Sequence, residues 1–246
     1  MTFHDAVPFA FPAEDRKRRR SEQEPWQRSA RTAHAFVANS QFTAREVERD
    51  LGIDPERITV TPLAVERAHF SPHGARATLR GDRPYVLFVG AEEPRKNFAT
   101  LQAAHARAFG NHEVALVCAG ARAPGAQTLG TLEPAELATW YRGALAVAVP
   151  SLYEGFGLPV LEAMACGAPV IATRATSLPE VGGDAPLWID APEDVDAWTD
   201  ALRAVAGDAG LRARLRVAGL ERAAGFSWDV CAERTLDVLR SVARRD

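Results

Sequence analysis

The chain has 246 residues, 47% hydrophobic and 25% charged, which is a globular composition with room for one large or two small domains. Its net charge of −3 at pH 7 gives no overall bias toward nucleic acid. No apolar run approaches the ~18 residues that span a bilayer, and the first residues lack the basic start and apolar stretch of a signal peptide.

The first 84 residues contain only short predicted elements. Residues 12–32 are polar and include the basic run Arg16–Arg20, which indicates a solvated helix or loop. Contact of this run with an anionic membrane surface is the alternative interpretation. A helix is predicted over Thr43–Leu51, opened by a capping box of Thr43 and Glu46. The two predicted strands are Phe36–Ala38 and Arg57–Thr61.

From residue 85 on, short apolar runs alternate with amphipathic stretches, which predicts a doubly wound parallel α/β sheet. The predicted strands are Tyr85–Gly90, Val114–Gly120, Gln127–Gly130, Ala144–Val149, Pro169–Ala172 and Pro186–Ile189. The predicted helices are Asn97–Phe109 (with Asn97 as the capping residue), Glu133–Tyr141, Leu158–Cys166, Pro192–Ala206, Ala209–Arg222 and Ser227–Ala243. The three cysteines, Cys118, Cys166 and Cys231, lie far apart, which predicts reduced packing residues of a cytoplasmic protein.

The segment that follows the strand Ala144–Val149 has the composition of an anion site. Gly155 and Gly157 allow a ligand to approach the backbone closely, and Pro159 fits the first turn of a helix. The amide groups at that helix N-terminus favour an anion such as a diphosphate. The carboxyl end of a strand is also where open α/β sheets bind ligands.

Two carboxylates bracket this turn, Glu154 in the loop and Glu162 one turn into the helix. A carboxylate that accepts two hydroxyl hydrogen bonds is the usual partner of a ribose diol, and the second could bind sugar hydroxyls. The alternative is that both glutamates are solvated. Apolar neighbours on both sides of Glu162 argue against its exposure.

A second cluster, Gly90–Asn97, follows the strand Tyr85–Gly90 and contains Arg95 and Lys96. Because it also lies at the carboxyl end of a strand, these two cations are expected to face the same sheet edge as Gly157. Adjacent cations opposite a helix N-terminus are suited to binding a leaving diphosphate. An isolated surface Arg-Lys pair is more often only solvated.

Three stretches carry a resemblance to a known family: GAEEPRKN, LGTLEPAELATWYRGA and VPSLYEGFGLPVLEAMACGAPVIAT. They resemble the C-terminal domain of retaining glycosyltransferases of the glycogen-synthase and mannosyltransferase type, called group 1 glycosyltransferases, which have the two-Rossmann GT-B fold. The resemblance covers about residues 35–243. EPRKN with SLYEGFGLP is most similar to bacterial mannosyl- or rhamnosyl-type members.

The resemblance implies a nucleoside-diphosphate sugar as donor, no metal ion and no other cofactor. It assigns Arg95 and Lys96 to the diphosphate, Glu162 to the ribose and Glu154 to the hydroxyls of the donor sugar. His4, in a short TFHD motif, is similar to a family histidine that reaches the donor sugar. Further donor contacts are implied for Gly130, Thr131, Leu132, Gly155, Phe156, Gly157 and Leu158. Retention of anomeric configuration is expected through front-face attack rather than a carboxylate nucleophile.

The chain also departs from the family pattern. Full members carry an N-terminal acceptor domain before the TFHD motif, so residues 1–34 are interpreted as a remnant of that domain with a basic linker. Residues 35–246 are interpreted as the nucleotide-sugar-binding domain. Leu63-Ala64 stand where the family has Asn-Gly after a proline. The stretch from Phe226 resembles a closing helix that packs on the acceptor domain, so its apolar face is expected to be exposed.

Three functions remain open from the sequence. The first is a retaining hexosyltransferase of bacterial polysaccharide or cell-envelope synthesis, with a glycan or lipid-linked acceptor and a location in the cytoplasm or at the inner face of the membrane. The second is a truncated or non-catalytic sugar-nucleotide-binding module that needs a separate acceptor-domain chain. The third, an epimerase or phosphorylase of the same architecture, requires a different catalytic set. A metal site at His69 and His73 is not expected, because a third ligand is missing.

Overall fold

A computed structural model describes residues 1–91, 93–110, 113–120 and 125–244. The strands are β1 (Thr2–Phe3), β2 (Phe36–Ala38), β3 (Ile58–Val60), β4 (Tyr85–Gly90), β5 (Ala115–Gly120), β6 (Gln127–Gly130), β7 (Ala146–Val149), β8 (Val170–Thr173) and β9 (Leu187–Ile189). The α-helices are α1 (Val7–Ala10), α2 (Arg16–Thr32), α3 (Gln41–Leu51), α4 (Phe98–Phe109), α5 (Pro134–Gly143), α6 (Leu158–Ala165), α7 (Leu178–Gly182), α8 (Val195–Gly207), α9 (Ala209–Ala224) and α10 (Trp228–Ala243).

The chain divides into two compact units. The first comprises Met1–Ala64, Glu154–Phe156 and the residues from Phe226 on, and the second comprises Val65–Tyr153 and Gly157–Gly225. Strands β2 and β3, which the sequence interpretation assigned to the second domain, pair with β1 in the first unit. The division into residues 1–34 and 35–246 stays a prediction about which segment folds by itself.

The second unit contains a six-stranded parallel sheet in the order β6-β5-β4-β7-β8-β9, with helices on its faces. Alternate residues of β4, such as Val86 and Phe88, pack with Leu101 of α4 and Trp198 of α8. The intervening Leu87 is fully buried as well. Both faces of the sheet are therefore covered, which explains why its strands read as nearly continuous apolar runs and confirms the predicted α/β class.

Strands β4 and β6 have the predicted bounds, and the other strands of this sheet differ from prediction by one or two residues. The helix predicted from Asn97 begins instead at Phe98. Asn97 has a left-handed backbone (φ 51°), makes no capping bond to a backbone N–H, and accepts a hydrogen bond from the Thr100 hydroxyl (2.7 Å). Helix α7 was not predicted, because a single turn of five residues leaves too short a periodic pattern to recognise.

The first unit has a three-stranded parallel sheet in the order β1-β2-β3. The fully buried ring of Phe3 stacks on Trp26 of α2 (centroids 5.1 Å apart) and on Phe36 of β2 (5.7 Å). These aromatic rings belong to a small core with aliphatic side chains, and Trp26 and Ala30 are the residues through which the mostly polar α2 packs against it.

Helix α3 starts two residues earlier than predicted, and its N-cap is Ser40 rather than Thr43. Ser40 has an extended backbone, and its Oγ accepts a hydrogen bond from the Thr43 N–H (2.9 Å). The predicted capping box of Thr43 and Glu46 is therefore wrong, since Glu46 lies inside the helix and pairs with Arg49. Both Ser40 and Thr43 are acceptable N-caps, and the sequence pattern alone did not separate them.

The basic run Arg16–Arg20 forms the first turns of α2, which contains no fully buried residue. Arg18 pairs with Glu22 (2.9 Å) and Arg20 approaches Glu24 (4.0 Å), each one helical turn away. The helical alternative is confirmed, and membrane contact stays a prediction. No helix within the described ranges is long and apolar enough to cross a membrane.

Helix α10 leaves several large apolar side chains partly exposed, as the sequence predicted. They are Trp228, Val230, Leu236 and Leu239. Cys118 and Cys166 are buried and Cys231 is half-buried, and no disulfide joins the three cysteines.

Candidate functional site

The strand order of the second unit creates a crevice at the carboxyl ends of β4 and β7. The chain runs from β4 outward through β5 and β6, and then returns to add β7 on the other side of β4. A sheet whose winding reverses between two neighbouring strands binds ligands at that point. The residues that leave β4 and β7 are therefore the first candidates for a functional site.

Arg95 and Lys96 lie in a short turn, Pro94–Lys96, directly after β4. This turn is attached to the segment that leaves β7, since the Leu152 N–H donates to the Arg95 carbonyl (2.7 Å) and Arg95 Nη1 donates to the Tyr153 carbonyl (3.3 Å). Arg95 Nε also pairs with Glu93 (2.6 Å). The turn that carries the two cations therefore lies beside the exit of β7, and the expectation that both cations face Gly157 stays a prediction.

The Lys96 side chain is 8% exposed, which is unusual for a lysine, and its stem lies over the end of β4. A Cβ built on Gly90 would stand 3.6 Å from Lys96 Cδ, an ordinary van der Waals distance, which places the stem beside the end of β4. Burial of Lys96 argues against the alternative of a merely solvated Arg-Lys pair.

Gly157 precedes α6 with a backbone φ of +108°, a conformation that L side chains rarely adopt. A Cβ at this position would stand 2.6 Å from Leu178 Cδ2, so both backbone and space require glycine. The first bond of the helix runs from the Val160 N–H to the Gly157 carbonyl (3.0 Å). The N–H groups of Gly157 and Leu158 precede it, without a side-chain cap, at the end of the helix that attracts anions.

Glu162 lies one turn into α6 and is only partly exposed, as predicted. Its Oε2 accepts a hydrogen bond from the Tyr141 hydroxyl of α5 (2.8 Å). Burial raises the pKa of the Glu162 carboxyl, and the bond from Tyr141 opposes that rise. Desolvation, followed by the nearby Glu162 charge, raises the pKa of the fully buried Tyr141 phenol, which therefore keeps its proton to donate.

Tyr141 is a site residue that the sequence reasoning missed. It stands inside the stretch LGTLEPAELATWYRGA, which was used for the resemblance, but one buried tyrosine in an amphipathic helix is usually a core residue. No spacing rule connects residues 141 and 162. Only the packing of α5 against α6 brings the phenol to the carboxylate.

Three predicted site residues, Glu154, Gly155 and Phe156, belong to the first unit. The Gly155 carbonyl accepts hydrogen bonds from Ser40 Oγ (2.7 Å) and Thr43 Oγ1 (3.0 Å) at the start of α3. Neither hydroxyl was predicted to take part. Two bonds on one carbonyl fix the segment that carries the Glu154 carboxylate, which is itself buried.

The TFHD motif lies beside this segment. Asn39 Nδ2 donates to the His4 carbonyl (2.7 Å), and a Cβ at Gly155 would overlap that same carbonyl and stand 2.9 Å from Asp5 Cα. The glycine therefore allows the backbones at His4 and Gly155 to meet. The His4 side chain is exposed, and its role toward a donor sugar stays a prediction.

Gly130 is the last residue of β6 and has a φ of +73°, and Thr131 and Leu132 follow it at the carboxyl end of the strand. Thr131 is exposed and Leu132 half-buried. Their contact with a base stays a prediction. His69 and His73 are placed in the loop before β4, and no group of three potential metal ligands occurs within the described ranges.

Two family models match the chain. One, described as glycosyl transferases group 1, matches residues 83–208, and the other, described as glycosyltransferase family 4, matches residues 1–69. Together the matched residues include the crevice, the turn Pro94–Lys96 that carries the two cations, and the TFHD motif.

Curated relatives agree with these models. The chain is 33% identical to the O-antigen chain mannosyltransferase B of Escherichia coli, over 97% of this chain and 69% of the relative. It is also 33% identical to the D-inositol 3-phosphate glycosyltransferase of Xylanimonas cellulosilytica, over 86% of this chain. The chain spans only 58% of that relative's length.

Solved structures show the same fold at lower identity. The sucrose-phosphate synthase of Thermosynechococcus elongatus superposes with a TM-score of 0.81 at 23% identity, covering 100% of this chain and 68% of that one. Anabaena HepE, solved with UDP and glucose, gives 0.77 at 17% identity, covering 98% and 70%. The family models and the E. coli relative together decide the matter: the chain belongs to the group 1 glycosyltransferases.

Proposed function

We propose that this chain binds a nucleoside-diphosphate sugar at the carboxyl ends of β4 and β7 and takes part in retaining transfer of its hexosyl group. The observation that carries the proposal is the cation turn Pro94–Lys96, bonded through Arg95 to the segment that leads into α6. The two cations and the N-terminus of α6, where Gly157 leaves the backbone accessible to a ligand, thus lie where the winding of the sheet reverses.

In this proposal the diphosphate is bound by Arg95, Lys96 and the N–H groups of Gly157 and Leu158. Negative charge grows on the diphosphate as the bond to the sugar breaks, and fixed cations stabilise that charge without rearrangement. The two side chains supply the positive charge, so no metal ion enters the proposed step.

The other donor contacts follow from the resemblance. One oxygen of Glu162 accepts the Tyr141 bond, and the other is proposed to bind the ribose diol. Glu154 and His4 are proposed to bind sugar hydroxyls, and Gly130, Thr131 and Leu132 to lie along the base.

The proposed reaction forms a bond from an acceptor oxygen to the anomeric carbon and breaks the bond from that carbon to the diphosphate oxygen. The leaving diphosphate takes the acceptor proton on the same face of the sugar, so the configuration is retained. Analysis of the product's anomeric proton by NMR tests this step: an α-linked donor should give an α-linked product. A β-linked product would overturn the retaining mechanism.

We further propose a mannosyl-type sugar and an acceptor of bacterial polysaccharide or cell-envelope type, at the cytoplasmic face of the membrane. The support is that the E. coli relative is an O-antigen chain mannosyltransferase. Measuring release of nucleoside diphosphate from GDP-, UDP- and dTDP-linked hexoses identifies the donor. Preference for a donor that is not mannosyl would overturn the sugar assignment.

The diphosphate contact is tested by calorimetric titration of the Arg95→Gln/Lys96→Gln double variant with UDP, GDP and ADP, and with the matching monophosphates. Loss of two charge-assisted contacts should weaken the diphosphate that binds best by about a hundredfold and its monophosphate far less. Arg80→Gln, an exposed arginine outside the site, is the control. Equal weakening of both nucleotides would contradict the proposed contact.

A second candidate is a donor-binding module that turns over only with a separate acceptor-domain chain. The chain spans 69% and 58% of the length of the two relatives named above. Donor binding by the 246-residue chain without nucleotide release, restored by adding an acceptor-domain chain, would support this candidate. Release by the chain alone would contradict it.

A further inference from the structure

A cavity of about 340 Å³ lies at the amino ends of β7 and β8, away from the carboxyl ends that carry the proposed donor site. Four arginines line it. Its walls come from the loop before β4, the end of α5, the turn after α6 and one side of α9. The lining residues are Arg76, Ala77, Thr78, Arg142, Gly143, Ala144, Leu145, Gly167, Pro169, Arg212, Ala213 and Arg216. No carboxylate is among these described residues, although the chain as a whole is acidic. We call this the arginine cavity.

The arginine cavity is separate from the proposed donor site. Leu145 and Pro169 stand just before β7 and β8, whereas Arg95 and Gly157 lie beyond the carboxyl ends of the strands. The four residues of β7, at ~3.3 Å each, place about 13 Å of strand between the two edges. A ligand in the arginine cavity therefore need not compete with a nucleotide.

Three of the four guanidinium groups are fixed by backbone carbonyls. Arg142 donates to Ala75 (2.7 Å) and also to the His69 and Ser71 carbonyls. Arg216 Nη1 donates to Gly167 (2.9 Å). Arg212 Nη1 donates to the Val205 (2.7 Å) and Ala206 (2.8 Å) carbonyls. Each half-buried side chain is thus held in one orientation before any ligand binds.

These bonds leave donors unused. A guanidinium has five N–H groups, yet within the described residues Arg212 and Arg216 donate only through Nη1. Arg76 makes no hydrogen bond or ion pair to any described residue. None of the four arginines forms an ion pair with a described carboxylate, although Asp208, at the N-cap of α9, interacts with the Arg212 charge.

The arrangement is unfavourable without a counter-charge. Arg212 and Arg216 are one turn apart on α9, and like charges at that spacing destabilise a helix. Arg142 approaches from α5 and Arg76 from the loop. A bound anion would convert this repulsion into attraction, and planar guanidinium groups match phosphate oxygens in paired hydrogen bonds.

We propose that the arginine cavity is a binding site for a phosphate-bearing ligand, distinct from the donor site. A concave shape and a volume within the usual range of small-molecule sites, roughly 300–1,000 Å³, suit a phosphorylated small molecule. A phospholipid headgroup presents the same phosphate chemistry at a membrane surface. The experiment below has one arm for each source.

In the first arm, inorganic pyrophosphate is titrated into the full chain by calorimetry at constant ionic strength. The Arg95→Gln/Lys96→Gln background removes the proposed donor contact. Adding Arg76→Gln should weaken the remaining binding about fivefold or more, since one charge-assisted contact is lost. Arg80→Gln, an exposed arginine four residues away that does not line the cavity, should leave it unchanged.

In the second arm, the same variants are sedimented with phosphatidylglycerol vesicles and with phosphatidylcholine vesicles. If Arg76→Gln weakens binding of pyrophosphate, the ligand is a soluble phosphate compound. If it weakens only binding to phosphatidylglycerol vesicles, the ligand is a phospholipid headgroup. Because Arg76 has no hydrogen bond to a described residue, its replacement should not change the melting temperature. If Arg76→Gln and Arg80→Gln behave alike in both arms, the proposal is overturned.

Discussion

The pair formed by Tyr141 and Glu162 determines how the proposed ribose contact is oriented. The phenol donates to one carboxylate oxygen at 2.8 Å and is itself fully buried, so it is held in place by its packing. A carboxylate fixed on one oxygen presents the other in a defined direction. Tyr141 is therefore a positioning residue in the proposed site.

Replacing Tyr141 with Phe should weaken nucleoside diphosphate binding about tenfold, the worth of one hydrogen bond to a charged group. The pKa of Glu162 should also rise further, because the opposing bond is removed. Titration calorimetry across pH measures both effects. Tyr85→Phe is the matched control, since that buried hydroxyl donates to the Trp140 carbonyl instead (2.7 Å). Equal effects of the two variants would show that Tyr141 is only structural.

Replacing Glu162 with Gln should separate stability from binding. Its pKa is raised in the folded protein, so the ionised carboxyl lowers the free energy of unfolding at neutral pH. This loss of stability shrinks as the pH falls through the raised pKa, because the Glu162 carboxyl of the folded protein then becomes protonated and neutral. The variant's gain in stability should therefore be larger near pH 8 than near about pH 4.5, while nucleotide binding weakens.

Urea unfolding at several pH values measures that gain. Glu221→Gln, an exposed glutamate on α9, is the control and should give a difference that depends little on pH. A pH-independent gain in Glu162→Gln would mean that its carboxyl is not desolvated.

At the scale of single elements, the turn before α6 shows most clearly how backbone geometry serves the site. Gly157→Ala should lower the free energy of unfolding by about 1–2 kcal/mol because alanine disfavours the left-handed backbone. Crowding of the new Cβ against Leu178 should lower it by a further ~1–3 kcal/mol. Gly52→Ala is the matched control, because φ is +64° there but nothing lies within 4 Å of the new Cβ.

Urea unfolding should show a larger loss for Gly157→Ala than for Gly52→Ala, and only the former should weaken nucleotide binding. Equal losses would mean that Leu178 moves aside at no cost. They would leave the backbone conformation as the sole reason for the glycine.

The elements of the large sheet could be predicted because each buried strand is an apolar run ended by a turn signal. Thr43 shows where this reasoning fails, because the structure caps α3 with Ser40 although Thr43 also has a side chain suited to a helix N-terminus. Asn97 does occupy the N-cap position of α4, but with a left-handed backbone and without a side-chain bond to a backbone N–H. Side-chain preference alone does not decide which of several nearby residues caps a helix.

At the scale of the whole molecule, contacts between distant segments could not be read from the sequence. Glu154–Phe156 follow β7 along the chain but group with the first unit, through the bonds of Ser40 and Thr43 to the Gly155 carbonyl. The arginine cavity likewise gathers residues from α5, α9, the loop before β4 and the turn after α6. Local motifs predicted which residues are candidates for the site and what type of group each could bind. The hydrogen-bond partners of these residues depend on tertiary packing and could not be predicted in this way.

The carboxyl ends of β4 and β7 are proposed to bind the donor diphosphate, and a crystal structure of the chain with the nucleoside-diphosphate sugar that binds best would locate that diphosphate. We expect its oxygens within hydrogen-bonding distance of Arg95, Lys96 and the Gly157 and Leu158 amides, with the ribose on Glu162. A nucleotide bound elsewhere, with these groups facing solvent, would contradict it.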